Sequence, residues 1–355
     1  MAYTTIDDPS EYFQTALYTG NSGNQSITND GNSDLQADWI WLKERSSTSS
    51  HHVFDSTRGV GDSGKALIPN STGAEGDDTA FRSFDSDGFT LANTGGFNQN
   101  TITNVAWQWK ANGGSRTTFT ESGNNPAGGH QANTTAGFSI VDYVGTGSAG
   151  TVSHGLGAEP KVLIVKNRDA TTDWAVYHRN ASDVGNDSFL ELNTNDAVAT
   201  AGTVWNDTSP SSSVFTVGTN TKTNTDGEKY IAYCFAEKQG YSKIGSYKGN
   251  SNADGSFVYL GFKPAFVLVT ASNATENWLI VDNKRTQSFN PVDGRLIPNS
   301  NGAEETNLTP CDFLSNGIKW RTSDGVWNSS SNTHIYWAFA EHPFVSSKGV
   351  PTTAR

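Results

Sequence analysis

Ile335-Tyr-Trp-Ala-Phe-Ala-Glu341, close to the C-terminus, has two relatives upstream in the same chain: Ile231-Ala-Tyr-Cys-Phe-Ala-Glu237 and Val105-Ala-Trp-Gln-Trp109. Superposed, the three place Trp107, Tyr233 and Trp337 in one column and Trp109, Phe235 and Phe339 in another. The columns are two residues apart, so both rings of each copy project from the same side of an extended strand. This pattern predicts a strand at the centre of a core, written three times.

Other pieces repeat around these strands. Tyr18-Thr-Gly20-Asn, Tyr143-Val-Gly145-Thr and Tyr247-Lys-Gly249-Asn open the copies, and each is followed by a wholly apolar run. Those runs are Trp39-Ile-Trp-Leu42, Val162-Leu-Ile-Val165 and Phe266-Val-Leu-Val269. Copies two and three enter them through Gly157-Ala-Glu-Pro160 and Gly261-Phe-Lys-Pro264, with proline where no ladder donor is needed. A second strand follows: Val53-Phe-Asp55 with Arg58, Trp174-Ala-Val-Tyr-His178, and Leu279-Ile-Val-Asp282 with Arg285. Next, Leu67-Ile-Pro-Asn70-Ser-Thr-Gly-Ala-Glu75 returns as Leu296-Ile-Pro-Asn299-Ser-Asn-Gly-Ala-Glu304 and, degenerately, as Leu190-Glu-Leu-Asn193. Phe84-Asp-Ser-Asp-Gly88-Phe89 matches Phe313-Leu-Ser-Asn-Gly317-Ile318.

Short strands separated by Gly, Asn and Ser turns predict an all-β chain of three tandem, degenerate antiparallel β-sandwich-like domains with a short N-terminal arm. The divisions fall at an arm of residues 1–17, copy one at 18–112, a linker at 113–135, copy two at 136–240, copy three at 241–345 and a tail at 346–355. Within the arm, Asp8 followed by Pro9 predicts a short helix, with Tyr12, Phe13 and Leu17 as docking residues. Because the apolar runs do not alternate, both of their faces should be covered, by loops, by the next copy or by a neighbouring chain.

Composition agrees with this reading. Of 355 residues only 17% are charged, while the chain holds 10 Trp, 18 Phe and 11 Tyr, enough aromatic surface for several cores. The net charge of −12 argues against nucleic acid as a partner. No run approaches the length of a membrane span, the N-terminus lacks the regions of a signal peptide, and the two cysteines form no stapling framework. Synthesis and assembly in a reducing cytoplasm are expected.

Ala136-Gly-Phe-Ser-Ile-Val-Asp-Tyr143, His154-Gly-Leu-Gly-Ala-Glu-Pro160 and Tyr230-Ile-Ala-Tyr-Cys-Phe-Ala-Glu237, with Gly240-Tyr-Ser-Lys-Ile-Gly-Ser-Tyr247, resemble an uncharacterised repeat-domain family of bacteriophage proteins. The family is frequent in marine phages, and its members are regarded as virion or tail-fibre-like proteins. The resemblance runs from about Tyr12 to Phe344 and brings no catalytic residues with it. Copy one departs from it where Leu35-Gln-Ala-Asp38 replaces Gly-x-x-Pro.

Candidate chemistry reads as structure at most positions. Asp85-Ser-Asp-Gly88 lacks the remaining ligands of a calcium loop and is expected to be a turn. His51-His52 reads as a solvated loop pair and His154 as a turn residue. Glu237 and Glu341 recur in their own copies, as structural residues do. The Asp55/Arg58 and Asp282/Arg285 pairs read as local salt bridges. Trp205, Trp320 and Trp327 fall outside the aligned columns and are the candidates for an exposed binding surface. No catalytic residue, metal or cofactor is expected.

The resulting expectation is a virion structural protein, in a tail fibre or other appendage, assembled in the host cytoplasm and acting by binding. It would form a homo-oligomer, with a trimer as the expected state, join other virion proteins through its arm, and meet a host-surface glycan or protein. A capsid or tail decoration protein is one alternative, and a glycan-binding or glycan-cleaving protein the other.

Overall fold

The computed structural model describes residues 2–60, 64–92, 96–181, 187–286 and 289–352. The fold is all-β, built from antiparallel sheets packed face to face. One four-strand order occurs three times: opening strand, closing strand, aliphatic strand, follow-on strand. In copy one these are Phe13–Thr19, Thr103–Trp109, Trp39–Glu44 and His52–Asp55. Copy two uses Phe138–Val144, Lys229–Phe235, Val162–Asn167 and Ala175–His178. Copy three uses Ser242–Lys248, Thr333–Pro343, Phe262–Ala271 and Leu279–Asp282. The register is equivalent throughout: Trp39 faces Trp109 and Asp55, Val162 faces Phe235 and His178, and Phe266 faces Phe339 and Asp282.

Both faces of the aliphatic strands are buried, and the period-two alternation of a strand decides what covers each. Trp39, Trp41, Val162, Ile164, Phe266 and Leu268 point into one core shared by all three copies. Their neighbours point outward into a private core for each copy: Ile40 and Leu42, Leu163 and Val165, Val267 and Val269. Smaller outer sheets close those private cores, among them Gln25–Ile27 with Phe89–Leu91, Gly150–Ser153 with Val214–Val217, and Phe257–Tyr259 with Gly317–Trp320. The cover for the second face is therefore the other two copies. Covered from within the chain, the doubly apolar strands give no ground for expecting self-association.

The Tyr-x-Gly openings pin the end of each opening strand. Tyr18, Tyr143 and Tyr247 donate through Oη to the carbonyls of Phe97, Thr223 and Trp327, at 2.9, 2.7 and 2.7 Å. The asparagine after each acceptor, Asn98, Asn224 or Asn328, accepts from the backbone amide of Asn21, Thr146 or Asn250. Glycine is required between them: a Cβ on Gly145 would lie 2.1 Å from the Thr225 carbonyl oxygen.

Three boundary expectations are corrected. Asp8 does cap a turn, accepting from the Ser10 amide at 3.0 Å, but only Pro9–Glu11 is helical and it is a 3-10 turn. From Phe13 the chain is a strand paired with the closing strand, so residues 1–17 are no free arm. Phe13 is buried in the shared core, stacked on Phe339 at 5.4 Å, and Tyr12 packs edge-on against Tyr241; Leu17 alone of the three is exposed. The segment 113–135 is no linker, since Thr117–Phe119 and Gly128–Asn133 extend the sheet of copy two. Its Gln131 side chain bonds Ser56 and Thr57 of copy one, and the Asp38 carboxylate accepts from the amides of Ala111, Gly113 and Gly114. In the tail, the Ser347 amide donates to Asp7, and 353–355 lie outside the described residues.

Candidate functional site

The aromatic columns meet at the centre of the molecule. Trp109 stacks over Trp337 at 6.0 Å, Phe235 lies 4.1 Å from Trp337, and Tyr233 stacks on Trp39 at 4.6 Å between ring centroids. Each of these rings is 2% exposed or less, so the columns are interior packing.

Around that core run three sets of hydrogen bonds, each closing a cycle of copies. In the first, a residue at the end of the follow-on strand reaches the closing strand of another copy. Asp55 accepts from Tyr233 Oη at 2.7 Å, and Asp282 accepts from Trp107 Nε1 at 2.9 Å. The third member is His178: its Nδ1 accepts from the Asn180 amide, so Nε2 carries the proton and donates to the Tyr336 carbonyl at 3.1 Å. In the second set, Trp174 Nε1 donates to the Ile68 carbonyl, Trp278 Nε1 to that of Glu191, and His51 Nε2 to that of Ile297, all at 3.0 Å. In the third, the amides of Glu75, Val198 and Glu304 donate to the carbonyls of Arg168, Ser272 and Arg45, at 2.8, 2.7 and 2.8 Å.

Among the described residues, two of the three interfaces also carry buried charge. Arg58 joins Asp55 and Glu75, and Glu75 joins Arg168 of copy two. Equivalently, Arg285 joins Asp282 and Glu304, which joins Arg45 of copy one. Burial raises the Glu75 carboxyl, but Arg168 and Arg58 outweigh it and leave the group below the usual carboxylate range. The expected local bridges Asp55/Arg58 and Asp282/Arg285 both form, but buried: the four side chains are at most 1% exposed, and each pair also bonds a second copy. At the interface between copies two and three, Ala181 stands where the arginines are, and a small apolar cavity of about 10 Å3 remains beside Val176, His178 and Trp337.

The remaining candidates take structural places. Trp205, Trp320 and Trp327 are buried, correcting their assignment to the surface. Trp327 directly precedes the pinning Asn328 and packs on Trp320, which stacks on Tyr247; Trp205 packs against Tyr177. Large rings in polar stretches here cover the private cores from beneath loops. His51 is fully buried, not solvated, and takes the Trp41 indole proton on Nδ1 at 2.9 Å. His154 pins its loop to the Ser211 carbonyl, and Asp85 closes a turn with Gly88. No group of three or more His, Cys, Asp or Glu able to hold a metal occurs among the described residues, nor any helix long and apolar enough to cross a membrane.

Among the described residues, one exterior groove of ligand size, about 400 Å3, is lined by Tyr3, Glu237, Gln239, Lys243, Tyr259 and their neighbours, and a second, about 590 Å3, shares its Tyr3 and Gln239 and runs to Ser347 and Lys348. Tyr3 Oη donates to the Gly261 carbonyl at 2.7 Å, fixing one wall. Glu237 is held between Lys161 and Lys243. Burial pushes its carboxyl up, but the two lysines prevail and hold it below the ordinary range. Tyr259 and its neighbour Phe257 stand 54% and 46% exposed on an edge strand. Sequence reading passed over both, although comparing that strand across the copies would have found them.

A family model described as a domain of unknown function, DUF7483, matches residues 8–343, and the chain belongs to that family. The matched span takes in all three copies and hence the whole closed ring. No curated protein matches the chain.

Proposed function

We propose that the chain is a structural protein of a bacteriophage particle, in a tail fibre or similar appendage, and that it acts by binding without catalysis. The observation that supports this best is the closed set of contacts among the copies. Polar and charged side chains that could have served chemistry, among them Asp55, Arg58, His51, His178 and Asp282, are spent on holding three sheets in one rigid body. Rigid bodies of this kind serve to present surfaces. Glu237 supports the same reading: a glycosidase needs a carboxylic acid kept protonated, and its two lysines favour the opposite state.

A decoration protein on the capsid or tail is the second reading, favoured by one observation. The N-terminal segment is folded into the body, with Thr4 bonded to the Gln239 carbonyl and Phe13 in the core, so it is unsuited to reach out and tether an appendage. Proteomics and labelled imaging of purified particles test both. Density for the protein on fibres supports the first, density on the shell or tube the second, and absence from particles rejects both.

A further inference from the structure

We propose that the groove lined by Tyr3, Glu237, Gln239, Lys243 and Tyr259, with Phe257 beside it, is a binding site for a neutral oligosaccharide. This deepens the binding role proposed above and rests on it.

The argument starts from a comparison of the copies with one another. Ile27, Val152 and Val258 occupy equivalent positions, each opposite the buried Phe89, Phe215 or Ile318 and each packed in its own private core. The residues on either side face outward. Copy one has Ser26 and Thr28 there, copy two has Thr151 and Ser153, and copy three has Phe257 and Tyr259. The fold is thus satisfied by small hydroxyl residues at both positions. Two large rings stand in their place at the one edge strand that borders the groove, about half exposed. Exposed edge strands ordinarily avoid such residues, because they invite association. A requirement other than folding put them there.

The surroundings select the ligand. Tyr3 Oη is fixed by the Gly261 carbonyl and lies beside the Tyr259 hydroxyl, so the two rings are held relative to each other. Glycine at 261, with a positive φ of 79°, leaves room for both hydroxyls: a Cβ there would lie 2.5 Å from Tyr3 Oη and 3.5 Å from that of Tyr259. The rim carries an ionised carboxylate, an exposed amide and an ammonium group, in Glu237, Gln239 and Lys243. Flat aromatic faces beside alternating acceptors and donors match a sugar, which offers an apolar C–H face and a ring of hydroxyls. A polyanionic glycan is disfavoured, because the one lysine lining the groove, Lys243, is paired with the Glu237 carboxylate and the chain as a whole carries −12.

The test uses the full chain on an array of short neutral gluco-, galacto- and manno-oligosaccharides, with titration calorimetry on any hit. The control variant, Phe257→Thr with Tyr259→Ser, installs what copy two carries at the same positions, so its melting temperature should stay close to that of the parent. Binding weakened about tenfold or more by that variant, with folding intact, supports the proposal; tenfold corresponds to about 1.4 kcal/mol. Three results overturn it: no array member bound, binding unchanged by the variant, or a self-association that the variant abolishes. Each would leave the structural role standing, since that is read from the particle and not from sugars.

Discussion

Tyr233 Oη lies 2.7 Å from the Asp55 carboxylate, joining the central ring of the second copy to the first. Asp55 also accepts from the Arg58 amide and guanidinium, and both side chains are fully enclosed. Burial, opposed by Arg58 and aided by Asp55, keeps the phenol protonated well above its ordinary range, so it remains a donor. Tyr233→Phe removes one of several donors and should lower unfolding stability by about 1–3 kcal/mol. Asp55→Ala leaves the buried guanidinium with Glu75, at 3.3 Å, as its remaining carboxylate and should cost about 3–5 kcal/mol. Urea unfolding of both variants checks the order; equal losses would mean the guanidinium finds water.

Backbone proximity at the Tyr-x-Gly openings yields a second expectation. A methyl group on Gly145 would meet the Thr225 carbonyl oxygen at 2.1 Å, and on Gly227, which has nothing within 4 Å, it would meet no neighbour. Gly145→Ala should therefore destabilise by about 1–3 kcal/mol through overpacking. Gly227 has φ of +74°, so Gly227→Ala carries only the penalty of a left-handed backbone, about 1–2 kcal/mol. Crystal structures of both distinguish the mechanisms: the Gly145 variant should shift the loop near Thr225, and the Gly227 variant should leave its neighbours in place.

Acid should loosen the interface between copies two and three. Burial lowers His178 to about 4, opposed by its bond to the Tyr336 carbonyl. An unfolded histidine titrates near 6.5, so between about pH 6.5 and 4 the unfolded chain binds the proton that the folded chain refuses. Stability is therefore greatest above about pH 6.5 and falls as pH drops toward 4, by up to about 3 kcal/mol from this residue. His154 and His334, also lowered by burial to about 4, act in the same direction. His178→Leu should flatten the slope of stability against pH in that window. An unchanged slope, from denaturant midpoints at several pH values, would place the sensitivity elsewhere.

The repeat and its aromatic columns were legible in the sequence because period-two spacing reports directly on which side of a strand a ring occupies. The unbroken apolar runs announced burial on both faces as well. What covered the inner face was not legible, since Trp41 and Ile40 look alike whether the cover is another copy or another chain. Trp205, Trp320 and Trp327 were misplaced for a related reason: polar neighbours in sequence say nothing about a loop folding over a ring. Tyr12, Phe13 and Leu17 follow the Asp8-Pro9 helix signal, yet ladder pairing of Phe13 with Trp109 overrides that local pattern. Phe257 and Tyr259 mark the groove only by contrast with Thr151 and Ser153, a contrast that shows once the outer strands of the copies are aligned.

The shared core also predicts how the chain unfolds. Copy two owns a private core around Val152, Trp205 and Phe215, but Ile140, Val162, Ile164, Tyr233 and Phe235 face the other copies. Cut out as residues 136–240, it would expose that second set to water. Each fully buried side chain of this size contributes about 1.5–3 kcal/mol on burial, so losing several exceeds the net stability of an ordinary domain. The excised segment should therefore be unfolded or aggregated, with no dispersed amide spectrum. The intact chain should melt in one transition whose calorimetric and van't Hoff enthalpies agree. Three resolved transitions, or a well-folded isolated segment, would mean that the private cores carry the stability and that the central aromatic contacts add little to it.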